Sequence, residues 1–524
     1  MNEFSFANKV NIPKLLWFIF FVVFTPLFIL SYLATVPAED AVILYEYAKN
    51  LALNGIVTYG GSTIPIEGAT DFAWMVAIAL LKWIGIDEFA SALFLNFLGL
   101  IFVGSLFKGA QQKIVVGIAI LFTPYLYASL NGFSAIFFSA LYLLTLKLLI
   151  DKSRHLYLSL LILCLVRPDG VVWSAGCVML RLLQVSNKNQ LNEEVKKCAL
   201  WLIAPGLIYF IWRFWYFQEV FPLPFIVKAT STRDLLIFYK DSIDSVLLVS
   251  APLVFTLVAF ARNRKDLLQF LILLGMPIVF YSAMRLEQNI GNRFMAPLFF
   301  GGLFLVCQKF GQRALILFIF ISIFTQVKMA AGTAAGVADS ARETVYYLSK
   351  DLSALNGRML ITEAGRLTYY SNWFSEDSWG LNTPRYAHAL ISKSEIKAGK
   401  YDLIVAHCEL SMLNVGSNLG HDESRTWNNQ CKTLVSHIIE EQFDIYLVPF
   451  DKDGPSFKDH LKLMLGRKKD VEKMPLACIR HDIYAVSKQY SHSDKLITML
   501  QKHGAKIYSG KILTSGDAVC DTLK

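Results

Sequence analysis

The sequence predicts an α-helical polytopic membrane protein with a C-terminal soluble α/β domain, and three observations carry that reading. Hydrophobic residues make up 55% of the chain and charged residues only 17%, with a mean hydropathy of +0.45; that balance suits a chain solvated by lipid. Long apolar runs recur from Leu15 to Val327. Beyond Val327 the composition turns ordinary, and short apolar runs alternate with amphipathic stretches. Two parts follow, 1–327 in the membrane and 328–524 outside it.

The apolar runs are Leu15–Leu33, Phe72–Ile86, Phe89–Phe107, Ile114–Leu130, Phe133–Ile150, Leu156–Val166, Val171–Leu183, Cys198–Phe217, Val246–Phe260, Leu267–Met284, Phe294–Phe310 and Ala314–Val327. About eleven spans are expected from them. The first reads as an anchor, because Pro37-Ala38-Glu39-Asp40 makes a poor signal cleavage site. Lys9 and Lys14 precede it and keep the N-terminus cytoplasmic, which puts Glu39 and Asp40 outside. The basic loops Asp151–His155, Asn187–Lys197, Arg262–Lys265 and Gln312–Arg313 should lie inside. Counting back from them, Ala314–Val327 ends outside and the C-terminal domain is periplasmic. With Lys108–Lys113 also inside, one of Phe72–Ile86 and Phe89–Phe107 cannot cross completely; a short or re-entrant element is expected there. The formal charge of +9 thus reads as loop topology and contact with anionic membrane lipids. With no concentrated basic and aromatic tract, a nucleic-acid partner is not expected.

In the C-terminal part, Lys328–Ala341 is rich in Gly and Ala and suits a linker with helical continuation. Met359–Thr362, Leu403–Ala406, Ile445–Pro449 and Ile483–Val486 read as strands. Thr344–Leu355, Thr433–Glu441 and Ser493–His503 read as helices. Cys164, Cys177, Cys198 and Cys307 belong to apolar helices, as small hydrophobes. Cys408, Cys431, Cys478 and Cys520 lie in the soluble part, where disulfides persist, and their pairing is open. No cysteine or histidine spacing marks a zinc site.

Chemistry concentrates in a few polar stretches. Glu39 and Asp40 follow the first span, where a carboxylate can act as a base toward a hydroxyl. The plainer reading is a helix start before Ala41–Leu53, where acids oppose the helix dipole. Glu67-Gly68-Ala69-Thr70 closes the same loop, with Thr70 suited to cap the next helix. Arg167-Pro168-Asp169-Gly170 interrupts an apolar run; charge at such depth calls for a pair or a wet cavity. Lys228, after a Pro-containing loop, is a mobile cation suited to a phosphodiester or to lipid headgroups. Arg293, in Arg293-Phe294-Met295-Ala296-Pro297, precedes a span and suits bidentate phosphate binding or interfacial anchoring. Glu363 to Ser371 and Asp377 to Asn382 cluster Tyr, Trp, Asn and Asp side chains.

These segments, taken in order from Leu15 to about Asn382, resemble the GT-C glycosyltransferases that use polyprenyl-phosphate sugars, among them the terminal arabinofuranosyltransferases of the mycobacterial cell wall. The resemblance covers the acidic pair with Tyr47, Ala48, Asn50 and Leu51, the Glu67-Gly68-x-Thr70 loop end, Arg167-Pro168-Asp169-Gly170, Arg213 through Lys228, and Arg293-Phe294-x-x-Pro297. It continues through Tyr369-Tyr370 and Gly380-Leu381-Asn382. Glu46 stands where the family carries arginine, and Gly132-Phe133-Ser134 replaces an expected Gly-x-Glu. The resemblance implies transfer of a monosaccharide, arabinofuranose among the candidates, from a polyprenyl-phosphate donor to an envelope glycan, lipid or protein. Asp40 with Glu39 would be catalytic; Lys228, Arg293 and Arg167 would hold the donor phosphate. Glu67, Asn50, Asp169, Tyr370 and Asp377 would contact substrate. No cofactor is implied with certainty, a divalent cation being the one to consider, and no residue is assigned to a metal. The alternatives are a flippase or transporter of a lipid-linked sugar, whose site would sit between repeated halves, and an envelope assembly scaffold.

Overall fold

A computed structural model describes residues 12–230, 240–261, 263–284, 286, 288–415, 424–451 and 481–508. Of the residues named above, Lys9, Arg262, Cys478 and Cys520 lie outside the described residues. The chain forms two compact units. One gathers Met1–Thr35, Ala92–Ala204 and Ile237–Val337; the other gathers Val36–Ser91, Pro205–Leu236 and Ala338–Lys524.

The helices, in chain order, begin with α1 Ile12–Ala34, α2 Glu39–Asn54, α3 Phe72–Trp83, α4 Glu88–Ser105, α5 Ala110–Phe122, α6 Pro124–Leu130, α7 Ala135–Ile150, α8 Leu156–Val166 and α9 Gly170–Leu183. They continue with α10 Lys188–Cys198, α11 Ala204–Phe217, α12 Leu223–Thr230, α13 Lys240–Phe260, α14 Arg264–Phe270, α15 Met276–Ala283 and α16 Ala296–Asp339. Single π-helical turns, Ala199–Ile203 and Leu271–Gly275, join α10 to α11 and α14 to α15. Among the described residues five helices are long and apolar enough to cross a membrane, or seven if each of two broken pairs counts as one span.

Local backbone chemistry cuts several of the apolar runs into shorter helices. Phe72–Ile86 yields only α3, whose 12 residues reach about 18 Å against a hydrocarbon core of about 30 Å. Gly85 then turns the chain at φ 94°. Of the two segments in conflict over topology, α3 is the short one. Ile114–Leu130 breaks into α5 and α6, bent by 67°, because Pro124 drives Thr123 into an extended conformation (φ −115°, ψ 157°). Runs α7, α8 and α9 hold 16, 11 and 14 residues. In α16 the helix breaks at Gly311, whose φ of 77° only glycine adopts readily; the Lys328–Ala341 stretch continues that helix through Asp339.

The first unit is packed closely where small residues let backbones meet. Asn96 on α4 donates to the carbonyls of Ala92 and Phe133 at 2.9 Å each and accepts from Phe137 N at 3.1 Å. A Cβ on Gly99 would come within 3.1 Å of Phe137 Cα, so α4 and α7 touch there. The Tyr142 hydroxyl donates to the Leu273 carbonyl, one of the groups that the π-helical turn leaves available.

The second unit carries a six-stranded mixed sheet in the order β2-β1-β3-β5-β4-β6. Its strands are β1 Arg358–Ile361, β2 Phe374–Asp377, β3 Leu403–Ala406, β4 Asp444–Pro449, β5 His481–Val486 and β6 Lys506–Ile507. β1 pairs in parallel with β2 and β3, and the other pairings are antiparallel. Four strands were legible as short β-branched runs; β2 and β6 carry too few apolar residues to stand out. Around the sheet lie α17 Thr344–Leu352, α18 Arg366–Ser371, α19 Pro384–His388, α20 Lys393–Gly399, α21 Ser411–Val415, α22 Trp427–Glu440 and α23 Ser493–Lys502. Leu360, Ile404, Ala406, Leu434, Ile438 and Ile483 form the core on one side of the sheet.

Cys408 and Cys431 are joined in a disulfide, Cα to Cα 5.6 Å, which ties the end of β3 to α22 across 23 residues of sequence. Closing a loop of that length stabilises by about 3 kcal/mol. Cys431→Ser should therefore lower the thermal midpoint of the detergent-solubilised protein by several degrees, and reductant should lower the parent's midpoint but not the variant's. An unchanged midpoint in the variant would show that the loop is held by other contacts.

Candidate active site

The acidic pair opens α2. Ala38 takes the N-cap position with no side-chain cap, so Glu39 and Asp40 are the first two helical residues rather than caps. Glu39 Oε1 accepts from the backbone N–H of Gly365 at 2.7 Å and of Arg366 at 3.0 Å. Arg366 is 1% exposed; its Nε and Nη2 donate to the Pro37 carbonyl at 3.1 and 2.8 Å. Its Nη1 donates to Glu343, and Nε lies 3.8 Å from Glu39 Oε2. A Cβ on Gly365 would collide with the Glu39 carbonyl and carboxylate, so only glycine admits this approach. Residues 37–39 are thus fastened to 365–366. Asp40, half-buried, is the next residue of the fastened helix.

The loop end is built in the same unit. Glu67 and Arg213 are each 5% exposed at the side chain and form a bidentate pair, Nε to Oε1 2.6 Å and Nη2 to Oε2 2.5 Å. Arg213 also donates to the Val220 carbonyl at 2.8 Å, and Leu223 N donates to the Glu67 carbonyl. Glu67 thereby fixes the loop against α11 and the start of α12, in whose last turn Lys228 stands exposed. Gly68 N donates to the Tyr47 hydroxyl at 3.0 Å, which donates to Asn382 Oδ1 at 3.0 Å. A Cβ on Gly68 would strike both groups. The helix α3 begins at Phe72 with Asp71, not Thr70, at the N-cap position. Asn50 Nδ2 bridges Glu46 Oε1 and the Thr58 carbonyl, both at 3.0 Å.

Asp377 closes β2 and is 1% exposed. Its Oδ1 accepts from Trp379 N at 2.9 Å and its Oδ2 from Asn382 N and Nδ2 at 3.1 Å each. Burial outweighs these donors and pushes its carboxyl up to about 6. Tyr370 packs edge-on against Tyr346 and Tyr369 at 5.1 and 4.7 Å. Nearby in the sheet, His407 Nδ1 lies 2.6 Å from Asp482 Oδ1 and 3.2 Å from Glu363 Oε1.

In the first unit, Arg167 and Asp169 form the mutual pair that a tight turn allows, Nε to Oδ1 3.0 Å and Nη2 to Oδ2 2.6 Å. The Tyr281 hydroxyl donates to Asp169 and accepts from Trp173 Nε1 at 3.2 Å. Arg167 lies over the rings of Phe138 and Phe294 at 4.6 and 5.0 Å. Arg293 lies over Phe133 and Phe294 at 3.9 and 5.0 Å and donates to the Gln288 carbonyl. The two arginines, far apart in sequence, therefore share one aromatic ring.

The structure thus groups Glu39, Asp40, Asn50, Glu67, Lys228, Tyr370 and Asp377 in one unit and Arg167, Asp169 and Arg293 in the other. Arg366 is the residue that sequence reasoning left without a role; a single Arg within Glu363–Ser371 gives no periodic or spacing signal. Among the described residues no group of three or more His, Cys, Asp or Glu side chains is arranged to hold a metal ion.

No protein family and no curated protein matches the sequence. Among solved structures, the chain is similar to ArnT from Cupriavidus metallidurans bound to undecaprenyl phosphate. The identity is 12%, the match covers 79% of this chain and 96% of that one, and the TM-score is 0.53. The apo state of the same protein matches with 10% identity over 79% and 97% of the two chains, at a TM-score of 0.43. The fold, mostly helical with several apolar helices and a small mixed sheet, is like that of this ArnT protein.

Asp377 provides a pH test of this geometry. Its folded value, about 6, lies above the ordinary 3.8, so between these the folded state binds more proton than the unfolded one. Its contribution to stability is present below pH 4 and is lost as pH rises to 6, by about 1 kcal/mol per pH unit. Asp377→Asn removes that titration. Its thermal midpoint should fall less than the parent's between pH 4 and 6.5; parallel profiles would show that Asp377 titrates normally.

Proposed function

We propose that the chain is a membrane glycosyltransferase that moves a monosaccharide from a polyprenyl-phosphate donor to an envelope acceptor. It would be a multi-pass protein of the bacterial inner membrane, with the N-terminus cytoplasmic and the Lys328–Lys524 segment periplasmic. The observation that carries the reading is the fastening of the acidic pair: Glu39 is committed to Gly365 and Arg366, which fixes the helix turn that presents Asp40. The order of motifs along the chain, the similarity in fold to a protein solved with undecaprenyl phosphate, and a disulfide suited to an oxidising compartment support it.

In this mechanism an acceptor hydroxyl attacks the anomeric carbon of the donor. Its proton passes to the Asp40 carboxylate as the new glycosidic bond forms. The bond between the anomeric carbon and the phosphate oxygen breaks, and its electron pair leaves on polyprenyl phosphate. Lys228, Arg293 and Arg167 stabilise the charge that develops there. Glu67, Asn50, Asp169, Tyr370 and Asp377 shape the substrate sites, in part through the hydrogen bonds and ion pairs that hold them.

The test is incubation of the purified protein with a panel of polyprenyl-phosphate sugars, reading release of polyprenyl phosphate. Asp40→Asn keeps the side chain's shape and loses its basicity, so turnover should drop at least about a hundredfold with donor binding retained. Wild-type turnover in the variant removes Asp40 from the mechanism; a donor that crosses the membrane intact, with no phosphate released, favours a flippase.

Donor-phosphate binding has its own test. Lys228→Ala and Arg293→Ala should each weaken donor use, and the double variant should lose less than the sum of the two, because groups acting on one phosphate couple. Interfacial anchors would change membrane insertion and leave the kinetics of inserted protein intact. Unaltered donor dependence in both single variants overturns the assignment.

A further inference from the structure

A cavity of about 310 Å³ opens beside the loop that follows β2. Its wall comes from Trp379, from the connection between α19 and α20 at Leu390 and Lys393, and from Arg425, Thr426 and Gln430 around the start of α22. The volume is at the lower end for ligand pockets, which run from about 300 Å³ upward. Among the described residues lining it none is acidic.

The charges on the wall are largely engaged. The Nη1 and Nη2 groups of Arg425 donate to four backbone carbonyls, Trp379 at 3.2 Å, Tyr386 at 2.8 Å, Ala387 at 3.0 Å and Ala389 at 3.2 Å, and one N–H, at Nε, has no acceptor among the described residues. Lys393 Nζ is paired with Glu440 at 2.6 Å. A phosphate or carboxylate would compete with partners already in place for all but that one N–H, and among the described lining residues an amine finds no carboxylate. The rest of the polar capacity is neutral. Gln430, 5% exposed, donates to the Ser378 hydroxyl, while its Oε1 has no donor among the described residues. The Thr426 hydroxyl accepts from Asn429 N at 3.2 Å and keeps its own proton to donate. Beside these stands the Trp379 indole, whose ring centroid is 5.7 Å from that of Trp427.

An aromatic face beside amide and hydroxyl groups and a single open guanidinium N–H matches a sugar ring, which has an apolar C–H face and a rim of hydroxyls. A lipid chain would leave Gln430 and Thr426 unpaired at a cost of about 1–3 kcal/mol per group. We propose that this cavity binds one neutral glycosyl unit of an acceptor glycan. That the glycan is an acceptor rests on the transferase reading; that the cavity takes a neutral sugar does not. Trp379 belongs to the same turn as Asn382, which bonds Tyr47, so a glycan held here would reach the loop that carries the substrate-site residues of this unit.

The experiment is calorimetric titration of the full chain in detergent, without donor, using maltotriose, α-1,5-arabinotriose and chitotriose, with glucosamine and glucose 6-phosphate as charged counterparts. At least one neutral trisaccharide should bind with a Kd of about 1 mM or tighter. Trp379→Ala should weaken it about tenfold or more, and Trp379→Phe should restore most of the loss. Leu390 is 41% exposed, so Leu390→Trp tests occlusion of the cavity without burdening the fold and should abolish binding. No binding by any neutral trisaccharide, tighter binding of a charged counterpart, or binding indifferent to both Trp379→Ala and Leu390→Trp overturns the proposal. Because no donor is present, that failure leaves the transfer reaction to be decided by release of polyprenyl phosphate.

Discussion

The second unit depends on one buried cation. Arg366 gathers the Pro37 carbonyl, the Glu39 carboxylate and Glu343 around a guanidinium that is 1% exposed. Such a charge is tolerable only while fully engaged, since removing a partner from a buried pair costs about 3–5 kcal/mol. The contacts with Pro37 and Glu39 join residues more than 320 positions apart in sequence, so the start of α2 has its geometry set by a segment distant in the chain. Glu39 contributes a carboxyl oxygen that accepts two backbone N–H groups of that junction. Its neighbour Asp40 is the next residue of the helix that the junction fixes.

A second buried pair, Glu67 with Arg213, repeats the device between the loop before α3 and α11. The Tyr47 hydroxyl then links that loop to Asn382. Each of these residues stands in a segment that resembles a transferase motif, and each spends most of its polar capacity on another such segment. The functional and structural readings of Glu67, Asn50 and Asp377 are therefore compatible. A residue can shape a substrate site by holding a loop in place, with its own carboxylate facing another side chain.

The outlines of the fold were legible in the sequence, and the places where they were not share a cause. Hydropathy registers composition over a window, and so it found α8 to the residue and strand β3 likewise. It does not register where a backbone must turn. Pro124 and Gly85 end helices inside apolar runs that hydropathy reads as continuous. Strand β2, Phe374–Asp377, has acidic residues at two of four positions and reads as loop; only its register with β1 makes it a strand. For the site, the acidic pair and the ordered motifs could be read locally. The partners of Glu39 could not, because nothing near Glu39 in sequence points to residue 366.

Glu46 tests how far a departure from the family pattern matters. The resemblance expects a cation at this position, and the chain instead buries a carboxylate. Lys49 lies one helical turn on, and its Nζ reaches Glu46 Oε2 at 3.4 Å. That same ammonium donates to the Tyr369 carbonyl and to Asn372 Oδ1, at 3.1 Å each, and lies over the Tyr369 ring at 5.1 Å. A cation is thus still present on this side of α2, displaced by three residues and engaged with α18. Glu46 neutralises it and is in turn held by Asn50. The substitution of charge along the sequence leaves the local balance in space close to zero, and the helix that carries Asp40 remains fastened to the Tyr369–Tyr370 segment at its middle as well as at its start.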